Sequence, residues 1–518
     1  MACSDPCIPL PSRSSEPTSS KSSRARENLV ECDGLPRNRS AFRSAATWPR
    51  ISVAAFVTLL TAGGGGGCKP SDATSGPEPM PGPAGATADL AVPKAPDLSS
   101  ATPVDPDPQY NHFVIYKRAA DFAGWTFNGT MVRDTPTGAS VQLGPSKGTP
   151  IPCSADEIDG GAARYDAPSG LCAGSDPKPP GLPTGVNYYN GGSFYYGTLM
   201  SPEIHPGQPI SSVIASWNAA TPGKTWMAMH IRDLTPSGWS RWYSLPIWAA
   251  DFSTVSRHSV KGSSDADAYV DTDTFILKNS RTTAAYQLRI TLFATAPTET
   301  PSVRMVAAVS SKDRKTYPRA IPDATVWGRE LNIPQRSQEL PEYRGQGYGG
   351  GGEVWCSPTS TSMVMAYWGL TTADPALNQT VPDTAAGCYD SVYRGTGNWP
   401  FNTAHAATFG LTGYVTRFYS LSDAEPFIKA GIPLILSIAF KPGELPGAPI
   451  SQTAGHLIVL RGFDKHGDAI VNDPAAPNNA AVRLVYPRTA LENAWSHSGR
   501  AAYVMYPEGY AAPTPAGM

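Results

Sequence analysis

Apolar and polar residues alternate most clearly at Tyr286-Gln-Leu-Arg-Ile-Thr-Leu292. Tyr286, Leu288, Ile290 and Leu292 should face inward, and Gln287, Arg289 and Thr291 outward. Shorter runs of the same kind occur at Val213–Trp217, Thr225–Ile231, Trp242–Trp248, Ala268–Leu277 and Val303–Ser310, separated by TPGK, TPSG and KNS turns. No amphipathic helix interrupts them. Many short strands at close spacing predict an all-β sandwich, jelly-roll-like, over residues 109–325. The pattern then mixes over 326–510. After Cys356 the spacing predicts a helix: Pro358 suits a first turn, Met363, Val364, Met365 and Tyr367 suit the interior, and Gly369 suits the stop. Thr453–Gly462 reads as a strand with His456 near its start. Asp464–Asp468 reads as a turn and Ala469–Pro474 as the returning strand.

The first 108 residues carry no such pattern. Arg43 and Arg50 precede an apolar run from Ile51 to Ala62, which suits a signal-peptide core and is too short for a bilayer, where ~20 residues are needed. Gly63 to Gly67 and then Cys68 follow, like a lipoprotein box, with Gly65 where Leu is usual. Residues 1–68 are therefore expected to be a leader, with Cys68 as a lipidation candidate, and the protein to be exported to the cell envelope or beyond. Residues 69–108, rich in Pro, Ala, Gly, Ser and Asp, read as a disordered linker, and 511–518 as a loose tail.

Composition narrows the choices. The chain has 41 Lys+Arg against 43 Asp+Glu, a formal net charge of -2, so no basic face for nucleic acid is expected. Of eight cysteines, Cys153 and Cys172 lie in a Gly/Pro/Asp-rich stretch and are expected to pair in an oxidising compartment. No CxxC pair occurs, and no metal or cofactor is expected.

The chemistry concentrates around Cys356. A thiol at the mouth of a helix meets unpaired N–H groups that favour an anion and hence a nucleophilic thiolate. Gly349 to Gly352, just upstream, would leave room for a substrate backbone. An acyl-transfer site also needs oxyanion donors. The Cys356 amide can supply one, and Gln335, Gln338 or Gln346 the other. The predicted hairpin brings His456 close to Asp473, which would fix the imidazole tautomer, while Asn472 should point to the opposite face. His405, His466 and His497 fit that role less well. Cys388 reads as buried and inert. Trp399, in the GTGNWPFN loop, is a candidate hydrophobic wall for a substrate side chain. The aromatic set Trp226, Trp239, Trp242, Tyr243 and Trp248 reads first as packing and second as a platform for a glycan or cell-wall ligand. The acidic run Asp265, Asp267, Asp271 and Asp273 reads as a charged surface strand.

A Gln, then Trp355-Cys356-Ser-Pro358-Thr-Ser360 opening a helix, then Gly455-His456 on a strand, then Asn472-Asp473-Pro474 resembles the bacteriocin-processing (double-glycine-leader) cysteine peptidase family, in its exported, transporter-free branch. The resemblance covers residues 330–505. It implies an α+β papain-like cysteine peptidase fold and hydrolysis of peptide bonds in a peptide or protein substrate. It also implies Cys356, His456 and Asp473 as the triad, Gln338 as oxyanion donor, and Trp355, Ser357 and Trp399 beside the substrate. Ser357 stands where many relatives have Gly, and the Gln338–Cys356 gap is longer than in transporter-linked members, which keeps Gln346 open. No GxxxxGK[ST] ATPase motif occurs. Two other expectations share the sequence: a cell-wall peptidoglycan amidase or endopeptidase, and a catalytically silent surface binding protein. A membrane would be reached only through a lipid anchor.

Overall fold

The computed structural model describes residues 111–144, 150–154, 157–159, 162–165, 167–176, 189–312, 320–515 and 517. The leader, Cys68 and the linker lie outside the described residues. Among the described residues no helix is long and apolar enough to cross a membrane.

The first part is almost entirely β. A seven-stranded sheet runs in the order Ala268–Asp271, Thr274–Leu277, Ser212–Ala220, Ser302–Ser311, Gly138–Leu143, Thr130–Thr135, with Asn111–Tyr116 also paired to Ser302–Ser311. An eight-stranded sheet is centred on Thr225–Thr235, Tyr286–Ala294 and Ser193–Met200. Val213, Ala215 and Trp217 from the first sheet and Met229, Ile231, Leu288, Ile290 and Leu292 from the second share one core. Burial of these apolar side chains is the main stabilising term.

The expected polar face of Tyr286–Ala294 is not at the surface. Gln287 is 7% exposed, Arg289 1% and Thr291 0%. A second layer covers them. Thr291 Oγ1 donates to the Tyr165 carbonyl (3.0 Å), Gln287 Nε2 donates to the Ser201 carbonyl (3.0 Å), and Arg289 lies over the Trp242 ring. Phe194, Tyr196, Trp226 and Phe293 form a smaller core there. Cys172 belongs to that core and is disulfide-bonded to Cys153. The aromatic set is taken up by packing: Trp226, Tyr243 and Trp248 are fully buried, and Arg232 lies against both Trp239 and Trp242.

The second part holds a six-stranded sheet in the order Leu411–Arg417, Ala501–Pro507, Leu434–Phe440, Thr453–Phe463, Ala469–Asn472, Arg483–Tyr486. The helix Cys356–Thr372 packs on it through Met363, Val364, Met365 and Trp368. This helix passes the expected stop at Gly369 and ends at Ala373, which takes a left-handed conformation (φ 57°). Gly369 serves packing instead: a Cβ there would stand 2.9 Å from the Asp374 carbonyl.

The two parts are not separate beads. Ile214, Met305, Ala307 and Val309, on the outer face of the seven-stranded sheet, join the core of the second part. Phe401 and Ala404, from the helix Trp399–Ala407, join the core of the first. Asn218 brackets Gly413, donating to its carbonyl (2.7 Å) and accepting from its N–H (3.1 Å), and Ser216 Oγ accepts from the Val415 N–H (2.9 Å). Strand Ser212–Ala220 is therefore covered on both sides. The tail expected to be loose is also tied down: Pro515 is buried, and the Gly517 carbonyl accepts from the Phe113 N–H (3.0 Å).

Candidate active site

Cys356 opens its helix with Trp355 at the cap position and no side-chain cap. Its first-turn N–H groups are thus left for another acceptor. Of the polar residues that follow, Ser357, Ser360 and Thr361 look out of place in a core, yet all three find a partner. Ser357 Oγ lies 2.9 Å from the Tyr503 hydroxyl, Ser360 Oγ donates to the Leu457 carbonyl (3.0 Å), and Thr361 Oγ1 donates to Asn402 Oδ1 (3.1 Å). The Ser360 bond ties the Cys356 helix to the residue that follows His456, which fixes thiol and imidazole relative to each other.

His456 is 3% exposed. Its Nε2 lies 2.7 Å from Asp473 Oδ1, and Cys356 lies near enough to favour charge on the ring. Since Nε2 faces the carboxylate, Nδ1 is left for the thiol. Burial opposes charge on this ring. The charge and hydrogen bond of Asp473, together with Cys356, outweigh it and push the imidazole up to about 10. Burial would raise Asp473, but the His456 charge and bonds from His456, Tyr486 and the Ala475 N–H hold it below the usual carboxylate range.

Asp473 sits just past Ala469–Asn472, whose register pairs Asn472 with Val459. Asn472 points the other way, its Oδ1 accepting from Arg461 (2.7 Å) and its Nδ2 donating to the Pro334 carbonyl (3.2 Å). Asp473 Oδ2 accepts from the Tyr486 hydroxyl at 2.7 Å. Tyr486 was not foreseen. The only sign of it in the sequence is that it closes the short apolar run Arg483–Tyr486, where it is the buried position.

Of the three glutamines, Gln338 is the one built into the site. It is 4% exposed. Its N–H donates to the Pro474 carbonyl (2.8 Å) and its Nε2 to the Glu353 carbonyl (3.0 Å), three residues before Cys356. Gln346 is exposed and turned back on the Glu342 carbonyl (2.5 Å), and Gln335 is half-buried.

Two expected substrate contacts need correction. Trp355 is 0% exposed and its indole N–H donates to the Tyr348 carbonyl (2.9 Å); Ser357 is 1% exposed and held by Tyr503. Neither side chain has surface left for a substrate, because Trp355 is packed against Val381, Ala385 and Tyr343 and Ser357 against Tyr503. Trp399 is half-buried, packed at the edge of the same core as Cys356. Asp273 is also corrected. It is buried rather than on a surface strand, and it accepts from the Trp399 N–H at 2.7 Å, so the first part of the chain caps the helix that bears Trp399. Asp265 pairs with Arg241 (2.6 Å). Cys388 is buried, and burial pushes its thiol up. Burial likewise pushes His405 down to about 3. Among the described residues no cluster of His, Cys, Asp and Glu is arranged to hold a metal ion.

Residues 112–311 match the peptidase C39 N-terminal domain, and residues 330–503 match the peptidase C39-like family. Together the matches support a C39 cysteine peptidase family. The two matched stretches fall on the two β-rich parts described above, and Cys356, His456 and Asp473 all lie inside the second. No curated protein matches the chain. Among solved structures, the CBM22-1–GH10 modules of Clostridium thermocellum endo-1,4-β-D-xylanase 10B are similar at 10% identity, over 35% of this chain and 32% of that one, with a TM-score of 0.12. A likeness that low carries no argument about fold or ligand.

Proposed function

We propose that the protein is a cysteine peptidase that hydrolyses peptide bonds by thiol acyl transfer. One observation carries the reading: a buried imidazole stands between a carboxylate at 2.7 Å and a thiol at the mouth of a helix. In this reading the second part of the chain has a papain-like arrangement, a nucleophile helix on an antiparallel sheet that bears the base, and the first part is a sandwich. The Cys356 thiolate attacks the substrate carbonyl. The Cys356 N–H and the free amide N–H of Gln338 receive the oxyanion. The His456 imidazolium protonates the leaving amine, and the same ring then takes a proton from the water that hydrolyses the thioester. Asp473, steadied by Tyr486, orients the ring and stabilises its charge. The Cys153–Cys172 disulfide supports an exported, oxidising location.

The test is hydrolysis of an unstructured protein such as casein, followed by mass spectrometry of the fragments. The reading expects cleavage by the intact protein and none by Cys356→Ala. Equal cleavage by both, or none by either after reduction, would sink it.

A further inference from the structure

The helix that carries Cys356 is held sideways by bonds from two neighbouring residues. Ser360 Oγ donates to the Leu457 carbonyl, next to His456, and Thr361 Oγ1 donates to Asn402 Oδ1 on the helix Trp399–Ala407. Adjacent residues project about 100° apart around a helix, so the two bonds together resist rotation about its axis. Such a rotation would swing the Cys356 thiol relative to the imidazole. The first bond runs to the strand that bears the base. The second is only as firm as Asn402.

Asn402 is fixed from the start of its own helix. Its Nδ2 donates to the carbonyls of Thr396 (2.9 Å) and Asn398 (2.8 Å). Two buried carboxylates hold that start in turn. Asp390 accepts from Asn398 Nδ2 (3.0 Å) and from the Ser259 N–H of the first part of the chain (3.0 Å). Asp273, itself in the first part, accepts from the Trp399 N–H (2.7 Å). Asp273, Asn398, Asn402 and Thr361 are all less than a tenth exposed, so water does not readily replace a broken link. The Asp273 carboxylate also stands near the first turn of the nucleophile helix. Its charge bears on the Tyr503 hydroxyl, as that of Cys356 does, and this hydroxyl lies 2.9 Å from Ser357 Oγ.

We propose that Asp273, supplied by the first part of the chain, is a positioning residue of the thiol site: by holding the N-terminus of Trp399–Ala407 it sets Asn402 against Thr361, and so sets the rotation of the Cys356 helix. The first part is then required for the reactivity of the thiol and not only for stability. The proposal deepens the peptidase reading and rests on it.

The readout is the rate at which an alkylating probe labels Cys356 in the full chain at pH 8, in protein shown by circular dichroism to be folded. Asp273→Ala should slow labelling about 10-fold, less than the ~100-fold that a 1 Å misplacement can cost. Asp273→Asn, which keeps an acceptor for the Trp399 N–H, should restore the rate. Thr361→Val breaks the same path at its other end; it should slow labelling as much, and the double variant should be no slower than either alone. Tyr419→Phe removes a buried bond between the two parts that lies outside this path, from the Asn111 N–H to the Tyr419 hydroxyl (2.8 Å). It should lower the melting temperature and leave the labelling rate unchanged. Normal labelling of folded Asp273→Ala, slowing that Asp273→Asn does not restore, slowing that adds in full to that of Thr361→Val, or equal slowing by Tyr419→Phe overturns the proposal. Where Asp273→Ala does not fold, Thr361→Val decides, and normal labelling there overturns it too. Slow labelling of the intact protein that ignores His456→Ala overturns the peptidase reading separately.

Discussion

Asp473→Asn removes one charge from the candidate triad and leaves a side chain of the same shape. In the intact protein the imidazole is held up to about 10, with burial working against it and Asp473 foremost among the groups that raise it. At pH 8 such a ring is about 99% protonated; a ring returned to its ordinary value near 6.5 is about 3% protonated. The imidazolium that donates to the leaving amine is thus depleted roughly 30-fold, and further if burial dominates once the carboxylate charge is gone. The assay is kcat/KM against pH on a fluorogenic peptide. The intact protein should lose activity as pH rises through about 10. The variant should lose it near or below pH 6.5, and at pH 8 should be at least about 30-fold slower. Stability gives a second readout. A raised histidine contributes in full below about 6.5, and that contribution fades as pH climbs through about 10; a lowered carboxylate contributes above about 4 and fades below it. The stability gap between the two proteins should therefore be widest between about pH 4 and 6.5, at about 3 kcal/mol, the low end for breaking a buried pair because Asn still bonds the ring. It should narrow toward pH 10.5 in urea unfolding. An alkaline limb that stays near 10 in the variant, or a gap that ignores pH, would refute the reasoning.

Tyr486→Phe removes the hydroxyl on Asp473 Oδ2; it should cost about 1.5–3 kcal/mol in urea unfolding and raise the pH below which the Asp473 contribution to stability is lost. Gly352→Ala would push a Cβ to 2.1 Å from the Gln338 carbonyl and 2.9 Å from Tyr343 Cβ. It should slow alkylation of Cys356 and cost about 1–3 kcal/mol, read as a slower labelling rate and a lower melting temperature. Phe401→Ala empties a position shared with Trp217 and Trp248; calorimetry should show both parts melting in one transition, destabilised by about 3–5 kcal/mol. Replacing Cys153 and Cys172 by Ser opens a loop with a sequence separation of 19; it should lower stability by about 3 kcal/mol and leave Cys356 labelling unchanged.

The strands of the first domain and the hairpin that pairs His456 with Asp473 were legible because each rests on a local period: apolar alternation, or a turn of known length between two runs. Gln338 was legible only as one of three glutamines, since its distinction is a bond to Glu353, fifteen residues away. What the sequence hid came from long-range cover. Arg289 and Gln287 look solvent-facing until a second layer closes over them. Asp273 looks like one more surface acid until the Trp399 helix places its N-terminus on it. Trp355 looks like a substrate platform beside the nucleophile until its indole turns inward to Tyr348. The helix overran Gly369 because glycine there answers a close approach of residue 374, which nothing in the local pattern announces.

The central claim is that His456 activates the Cys356 thiol. The protein, beside Cys356→Ala and His456→Ala, is incubated with an alkylating probe, and the labelled peptide is mapped over time. The account predicts fast labelling at Cys356 that collapses when His456 is replaced, with buried Cys388 unlabelled. Slow labelling of Cys356 that is indifferent to His456 would contradict it.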